Sequence, residues 1–277
     1  MSNLVRGNIS GFFVLLVQLK RYRLLLSSLV RRDITMRFRQ SMFSSFWLVL
    51  QPLFMLLVYT FVFEVVMRVR WHDAAFENKK IPIGLILFSG LSAYTIFAET
   101  LTRCPAIISS SISYVKKIVF PLALLPMVVV FSAVIIGLIS FLVVAIATLF
   151  IVGSLPLFLP AIIIPIIALT LMSLGIGWFL AALGVYFRDI NQFMPFISTI
   201  ILFTAPICYP KEIVPEQFRF LMAINPLTVP VEAIHTMFFG GAIDFHSLCT
   251  YCVISIVVMF SGYAFFKKLR QGFADVL

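Results

Sequence analysis

The sequence predicts an all-α polytopic membrane protein: six transmembrane helices, an N-terminal amphipathic interfacial helix, and short re-entrant helices before the last span. Three observations predict it. Of the 277 residues, 62% are hydrophobic and only 12% are charged, far from the roughly 45–50% apolar and 25% charged of soluble domains. Apolar runs of about 20 residues, the length that crosses the hydrocarbon of a bilayer, recur along the chain. Lys and Arg are shared unevenly among the segments between those runs, as they are when one side of the membrane is the cytoplasm.

Residues 1–45 read as a cytoplasmic and interfacial segment, and 46–277 as the transmembrane domain. The first apolar run, Phe12 to Val17, is too short for the core of a signal peptide and no A-x-A-like site follows, so no cleaved leader is expected. Within 11–32, Leu15, Leu19, Tyr22, Leu26 and Leu29 recur at helical spacing, with Lys20, Arg23, Ser27 and Arg31 on the other side. A basic polar face opposite an apolar stripe suits a helix lying in the membrane surface. The basic stretch 31–45 leads into a first span at about 46–67, where Trp47 takes an interfacial position.

The second span is expected at about 83–103. The third lies within 121–152, a run too long for one straight crossing, so its first turns project or tilt. Leu155 to Pro160 form a turn before a fourth span at about 161–186, a fifth at 192–208 and the last at 248–266. Between the last two, Pro206, Pro210, Pro215, Pro226 and Pro230 punctuate a stretch that stays apolar. Asn225-Pro226 is a helix start, a capping side chain followed by proline at the first helical position. Two helices too short to cross, 215–224 and 226–239, end at Gly240-Gly241 and read as re-entrant, which is tolerated where protein or a water-filled cavity covers the backbone.

With the N-terminus inside, fifteen Lys and Arg fall on the inner side and six on the outer side. Both termini are therefore expected in the cytoplasm, which requires an even number of spans. The net charge of +10 does not point to nucleic acid. Its cations flank apolar spans, where they set topology and meet anionic membrane lipid.

Little in the chain suggests chemistry of its own. No G-x-x-x-x-G-K-[ST] occurs and no soluble stretch could house a nucleotide-binding domain. ATP-driven work would need a partner subunit. No Ser/His/Asp set, paired acids or metal cluster emerges, so no catalytic residue and no metal site are expected. Cys249 and Cys252 form a lone C-x-x-C with no second pair and no nearby histidine set, and read as small residues of a membrane helix. Only Glu64 and Glu99 lie in or at the edge of spans, and Glu99 precedes Arg103 by four residues, the favourable order for a helical ion pair. Ser173, Gly177 and Ala181, four apart, form a small-residue packing seam. The loop after the second span, ending in Tyr114-Val115-Lys116-Lys117, reads either as a topology signal or as a docking surface. Phe54, Tyr59, Phe61 and Phe63 put aromatic area along the first span, for lipid contact and packing or for a channel wall.

Several short motifs keep a common order. They are Arg32-Asp33, Arg37-Phe38-Arg39-Gln40-Ser41, Trp47, Gln51-Pro52-Leu53, Val115-Lys116-Lys117, Phe120-Pro121, Leu125-Pro126, Tyr186-Phe187-Arg188-Asp189, Asn225-Pro226-Leu227 and Phe273-Ala274-Asp275. Together they resemble the ABC-2-type permeases that export polysaccharides, nearest to those for O-antigen. Capsule and teichoic-acid permeases are near relatives. One departure is Met42-Phe43, where that family commonly has Leu-Gly after the serine.

The resemblance implies a multi-pass protein of the bacterial inner membrane that pairs as a homodimer with two copies of a cytoplasmic ABC ATPase. ATP and Mg2+ would sit on the ATPase and no cofactor on this chain. The substrate would be an undecaprenyl-diphosphate-linked glycan. Ser109, Ser113, Tyr114, Lys116 and Lys117 would dock the ATPase. Arg31, Arg32, Arg37 and Arg39 would meet the substrate diphosphate or lipid headgroups, since arginine pairs well with phosphate oxygens. The dimer would enclose a channel, for whose wall Phe54, Tyr59, Phe61 and Phe63 are the aromatic candidates, and the 206–241 helices would close its outer end. A passive channel and a membrane-embedded lipid-glycan enzyme are the readings from other classes.

Overall fold

A computed structural model of the chain describes residues 21–37, 46–68, 81–111, 120–153 and 159–276. No strand occurs among the described residues, which form helices joined by turns and short irregular segments. Residues 21–37 form α1. Its Leu29 and Val30 are buried beside Val128, with Phe120 and Phe131 packed against them. The amphipathic helix thus runs on through Arg32 to Arg37. The first half of its expected stripe, including Leu15 and Leu19, lies outside the described residues.

Five helices are long and apolar enough to cross a membrane. The first is α2 (Trp47–Thr60), which continues as a π-helical turn, Phe61–Val66. Next are α3 (Ile83–Ile107) and α4 (Leu124–Val152). A 3-10 turn, Leu159–Ile162, enters α5 (Ile163–Tyr186). The fifth is the last long helix, Phe245–Leu269. The run expected as a further span at 192–208 is a shorter helix, α6 (Ile190–Thr204), of 15 residues. At 1.5 Å per residue it is about 22 Å long, less than the roughly 30 Å hydrocarbon. Pro206 forbids its continuation.

After α6 come two 3-10 turns, Lys211–Ile213 and Glu216–Phe218, then α7 (Arg219–Ile224) and α8 (Thr228–Phe239). Gly240 takes φ 95° and Gly241 φ 130°, a region open chiefly to glycine, and that stops α8 where the Gly-Gly pair was expected to. The last long helix is α9, and a single turn, α10 (Phe273–Val276), follows it.

Contrary to the expected boundary at residue 103, α3 runs to Ile107, with Cys104 and Pro105 inside it and buried. Helix α5 packs directly on α3 at this proline. A Cβ at Gly184 would lie 2.0 Å from the Pro105 carbonyl oxygen, so the two backbones touch. The α5–α9 crossing is closer still to pure backbone contact. A Cβ at Gly262 would meet the Gly175 carbonyl oxygen at 2.0 Å, and one at Gly175 would meet that of Val258 at 2.4 Å. Small residues permit this approach between membrane helices. The expected seam is only partly the one in use. Gly177 faces Thr100 and Cys104 of α3, but Gly175, Gly184 and Gly262 make the close backbone-to-backbone contacts of α5.

α3 is the hub. It packs against α2, α4, α5, α6 and α8. Tyr94 Oη and Ser198 Oγ, 2.9 Å apart, join α3 to α6. Trp178 Nε1 on α5 donates to the Ala123 carbonyl at 2.9 Å, fixing the turn that starts α4.

Candidate functional site

The largest concentration of charge among the described residues lies where the C-terminal part of α3 meets α1. Asp33 and Arg37 stand four apart on α1, and Glu99 and Arg103 four apart on α3. Each helix therefore offers one acid and one arginine on adjoining turns of one face. They pair crosswise. Both terminal nitrogens of Arg37 donate to the two Glu99 carboxylate oxygens. Arg103 donates to both Asp33 oxygens, Nη2 at 2.6 Å and Nη1 at 3.2 Å. Within the helices, Arg103 also reaches Glu99 at 3.2 Å and Arg37 approaches Asp33 at 3.7 Å.

Two fork-on-fork arginine–carboxylate pairs thus close a square of balanced charge. The bidentate geometry fixes angle as well as distance. The four side chains retain 20–32% of their exposure, so the group is shielded without being sealed from water. Solitary exposed ion pairs contribute little; networks with bidentate arginine are the exception.

The expected ion pair Glu99–Arg103 is present as one side of this square. Asp33 was singled out in the sequence only as part of Arg32-Asp33, and its link to Arg103 spans 70 residues of chain. Spacing along one helix carries no trace of that link. Of the arginines expected to meet phosphate, Arg31 and Arg32 are exposed on α1, Arg37 is held by Glu99, and Arg39 lies outside the described residues. Of the docking residues, Ser109 opens a 3-10 turn, Ser109–Ser111, just past α3, and its hydroxyl donates to the Ala106 carbonyl at 3.1 Å. Ser113, Tyr114, Lys116 and Lys117 lie outside the described residues.

The aromatic candidates divide. Phe54 and Phe61 are exposed, at 52% and 55%. Tyr59 and Phe63 are half-buried, with ring centroids 6.4 Å apart. α2 touches α3 most closely where a Cβ on Gly84 would lie 2.2 Å from Thr60 Oγ1, just before the π-helical turn. Glu64, in that turn, is exposed.

At the other end of the bundle Asn225 ties the proline-rich segment together. Its Nδ2 donates to the Ile201 carbonyl at 2.8 Å and to Thr204 Oγ1 at 2.7 Å, while Oδ1 accepts from Leu227 N–H at 2.9 Å. One buried side chain thus closes the end of α6 and starts α8. The helix itself begins at Thr228, two residues after the expected proline start. Most of α8 is buried, and Phe238 stacks on Phe141 of α4 with centroids 6.1 Å apart. A cavity of about 210 Å³ beside it is lined by Lys211, Glu212, Glu232, Asp244 and Ser247, among others. Lys211 Nζ lies 3.2 Å from a Glu232 oxygen. Burial raises the Glu232 carboxyl above its ordinary range, Lys211 opposes the rise, and Glu212 and Asp244 add to it. Asp244 accepts from the Ser247 hydroxyl and N–H as cap of α9, which lowers its own value.

No group of three or more metal-ligating side chains occurs among the described residues. Cys249 and Cys252 are free thiols near the start of α9.

Comparison with known proteins gives one consistent result. Residues 25–239 match the family model described as ABC-2 type transporter. A Klebsiella pneumoniae protein named O-antigen export system permease protein RfbA is 28% identical over 259 residues, covering 91% of this chain and 95% of that protein. A second Klebsiella pneumoniae protein of the same name is 27% identical over the same length. A Myxococcus xanthus protein, also so named, is 28% identical over 276 residues, covering 93% of this chain and 97% of the relative.

Proposed function

The chain belongs to the ABC-2 type transporter family, and from that premise we propose that it is the permease subunit of an ATP-driven exporter of O-antigen-type polysaccharide. The observation that carries the proposal is end-to-end similarity to three proteins named for that export, over more than 90% of this chain. The five long apolar helices agree with a multi-pass membrane protein.

In this reading the substrate is a glycan on an undecaprenyl-diphosphate carrier, collected at the cytoplasmic face of the inner membrane. Two copies of the chain enclose the path. Two copies of a cytoplasmic ABC ATPase bind ATP and Mg2+ and supply the energy, docking on Ser109 and the Ser113–Lys117 loop beyond it. Both chain ends are cytoplasmic. That requires α6, with the turn residues 205–208, to complete a sixth crossing and the 215–239 helices to be re-entrant. The burial of α8 against α3, α4 and α5 supports this, since re-entrant backbone must be covered by protein. The excess of cations on the inner side supports the orientation.

Residue roles follow from placement. Arg31 and Arg32, exposed on α1, keep the role toward diphosphate or lipid headgroups, Arg39 keeps it from the sequence alone, and Arg37 is paired with Glu99. Phe54 and Phe61 are the channel candidates, because α2 turns them away from its own bundle. A wall of aromatic rings gives broad, sequence-tolerant contact to sugar faces.

The test is deletion of the chain in its host. Lipid-linked polymer accumulates in the cytoplasm and disappears from the surface, and a plasmid copy restores it. Undiminished surface polymer after deletion overturns the proposal. The chemistry of the accumulated polymer identifies the glycan, separating O-antigen from capsule or teichoic acid.

A further inference from the structure

α3 touches five helices besides α1, so whatever displaces α3 displaces the bundle. Two cytoplasm-proximal elements load the same end of it. One is the Ser109–Ser111 turn, which continues directly from Ile107. The other is α1, which is separated from α3 by a full span of sequence yet is locked to it through Asp33, Arg37, Glu99 and Arg103.

We propose that this square of charges is a rigid joint that makes α1 and the C-terminal part of α3 move as one body, so that force applied to α1 reaches the hub helix directly. The proposal rests on the exporter reading and deepens it by fixing how motion at the ATPase-docking end of α3 is shared with α1. The four residues are positioning residues; they carry force and do not touch substrate.

Geometry makes the case. A single lysine–carboxylate contact is a swivel, because an ammonium group is a point charge on a flexible stem. Two bidentate guanidinium–carboxylate forks set crosswise resist both sliding and rotation of α1 along α3, since either motion breaks paired hydrogen bonds. The intrahelical contacts from Arg103 to Glu99 and from Arg37 to Asp33 hold the forks in register. Beside the square, Leu29 and Val30 seat α1 on Val128 of α4, an apolar contact that permits sliding and so leaves directional restraint to the charges. A helix that merely floated on the bilayer would spend its acids on water. Here both Asp33 and Glu99 are turned to the opposite helix.

The experiment uses the complex of the full chain with its ATPase subunit in lipid nanodiscs and in cells. Glu99→Gln keeps a similar shape and loses the charge. The complex still assembles, and polymer exported per ATP hydrolysed falls by about tenfold, the scale of coupling between linked elements. Exchanging all four charges, Asp33→Arg, Arg37→Glu, Glu99→Arg and Arg103→Asp, keeps every crosswise and intrahelical attraction and restores most of that ratio, whereas Arg37→Glu or Glu99→Arg alone does not. Spin labels at Leu24→Cys on α1 and Ser110→Cys beyond α3, in a background lacking the native cysteines, read the joint without reference to transport. The wild-type distance stays the same with and without ADP-vanadate, and in Glu99→Gln it broadens or shifts.

A wild-type coupling ratio in Glu99→Gln, a fourfold exchange no better than the single reversals, or a wild-type label distance that changes between nucleotide states overturns the joint. If the wild-type complex exports no polymer, the exporter reading falls, and the label distances still decide whether α1 and α3 move together.

Discussion

α2 and α3 are neighbours in sequence, both long enough to cross a bilayer, and they end up in opposite surroundings. Only 11% of the most apolar window of α2 is buried inside the chain, against 72% of that of α3. The more apolar helix is the exposed one. In water this would be a fault. In a bilayer it follows from the solvent, because lipid tails offer no penalty to Leu, Val and Phe, whereas small and polar residues are best used between helices. The buried part of α3 carries Gly84, Ser89, Gly90, Ser92, Ala93 and Thr100. Its serine and threonine hydroxyls return to carbonyls one turn back, as Ser92 does to Phe88 at 2.7 Å, and so cost little inside. α2 exposes Leu53, Phe54, Leu57, Val58 and Phe61. The lesson is that α3 organises the bundle and α2 is its outward face.

The contrast breaks first at the backbone contacts of the hub. Gly184→Leu forces a side chain into the Pro105 carbonyl and separates α5 from α3. It costs about 3 kcal/mol or more, the upper end of overpacking, and should leave little monodisperse protein after detergent extraction. A well-behaved Gly184→Leu protein would mean that the helices are not in contact there.

Next is the polar tie of the proline-rich segment. Asn225→Ala leaves the Thr204 and Leu227 partners unanswered and should cost about 2 kcal/mol, read as a lowered thermal midpoint and faster hydrogen exchange at 225–230. Trp178→Phe removes one hydrogen bond to Ala123 and some ring volume, an effect of about 1 kcal/mol on the same midpoint.

The outward helix should respond in the opposite manner. Phe54→Ala changes stability by less than about 0.5 kcal/mol, as exposed sites do, while surface polymer falls if this ring lines the path. Loss of stability without loss of export would turn the contrast around.

The smallest effect is one of pH. The Asp244 carboxylate is held below its ordinary value by its bonds to Ser247, so its capping of α9 is present at neutral pH and is lost as pH falls through that lowered value. Asp244→Asn keeps the cap and should flatten the acid dependence of exchange at 244–248, without otherwise altering the fold.

Much of this was open to reading along the chain, and the parts that were share a cause. Span positions, the stop at Gly240 and the role of Asn225 depend on residues within a turn or two of one another. The Glu99–Arg103 pair was visible for the same reason. Boundaries moved where a distant partner intervened. α5 reaches backbone contact with α3 at Pro105 because Gly184 has no side chain, and α6 stops short because Pro206 ends it and Asn225 takes up the Ile201 carbonyl of its last turn. The small-residue pattern at Ser173, Gly177 and Ala181 identified the right helix but not the right glycines, since spacing on one helix does not say which face meets which neighbour.

By itself, the sequence determined that this chain lives in a membrane, roughly where it crosses, and to which family it is similar. Hydropathy, turn chemistry and motif order are local properties, written in consecutive residues. Only the tertiary structure decided that α3 is the hub, that Gly175 meets Gly262, and that Arg37 belongs to Glu99 and Arg103 to Asp33. The two ion pairs join residues 62 and 70 positions apart, and all of these contacts depend on the angle at which whole helices pack, a quantity to which every contact along both helices contributes and which no short stretch of sequence encodes.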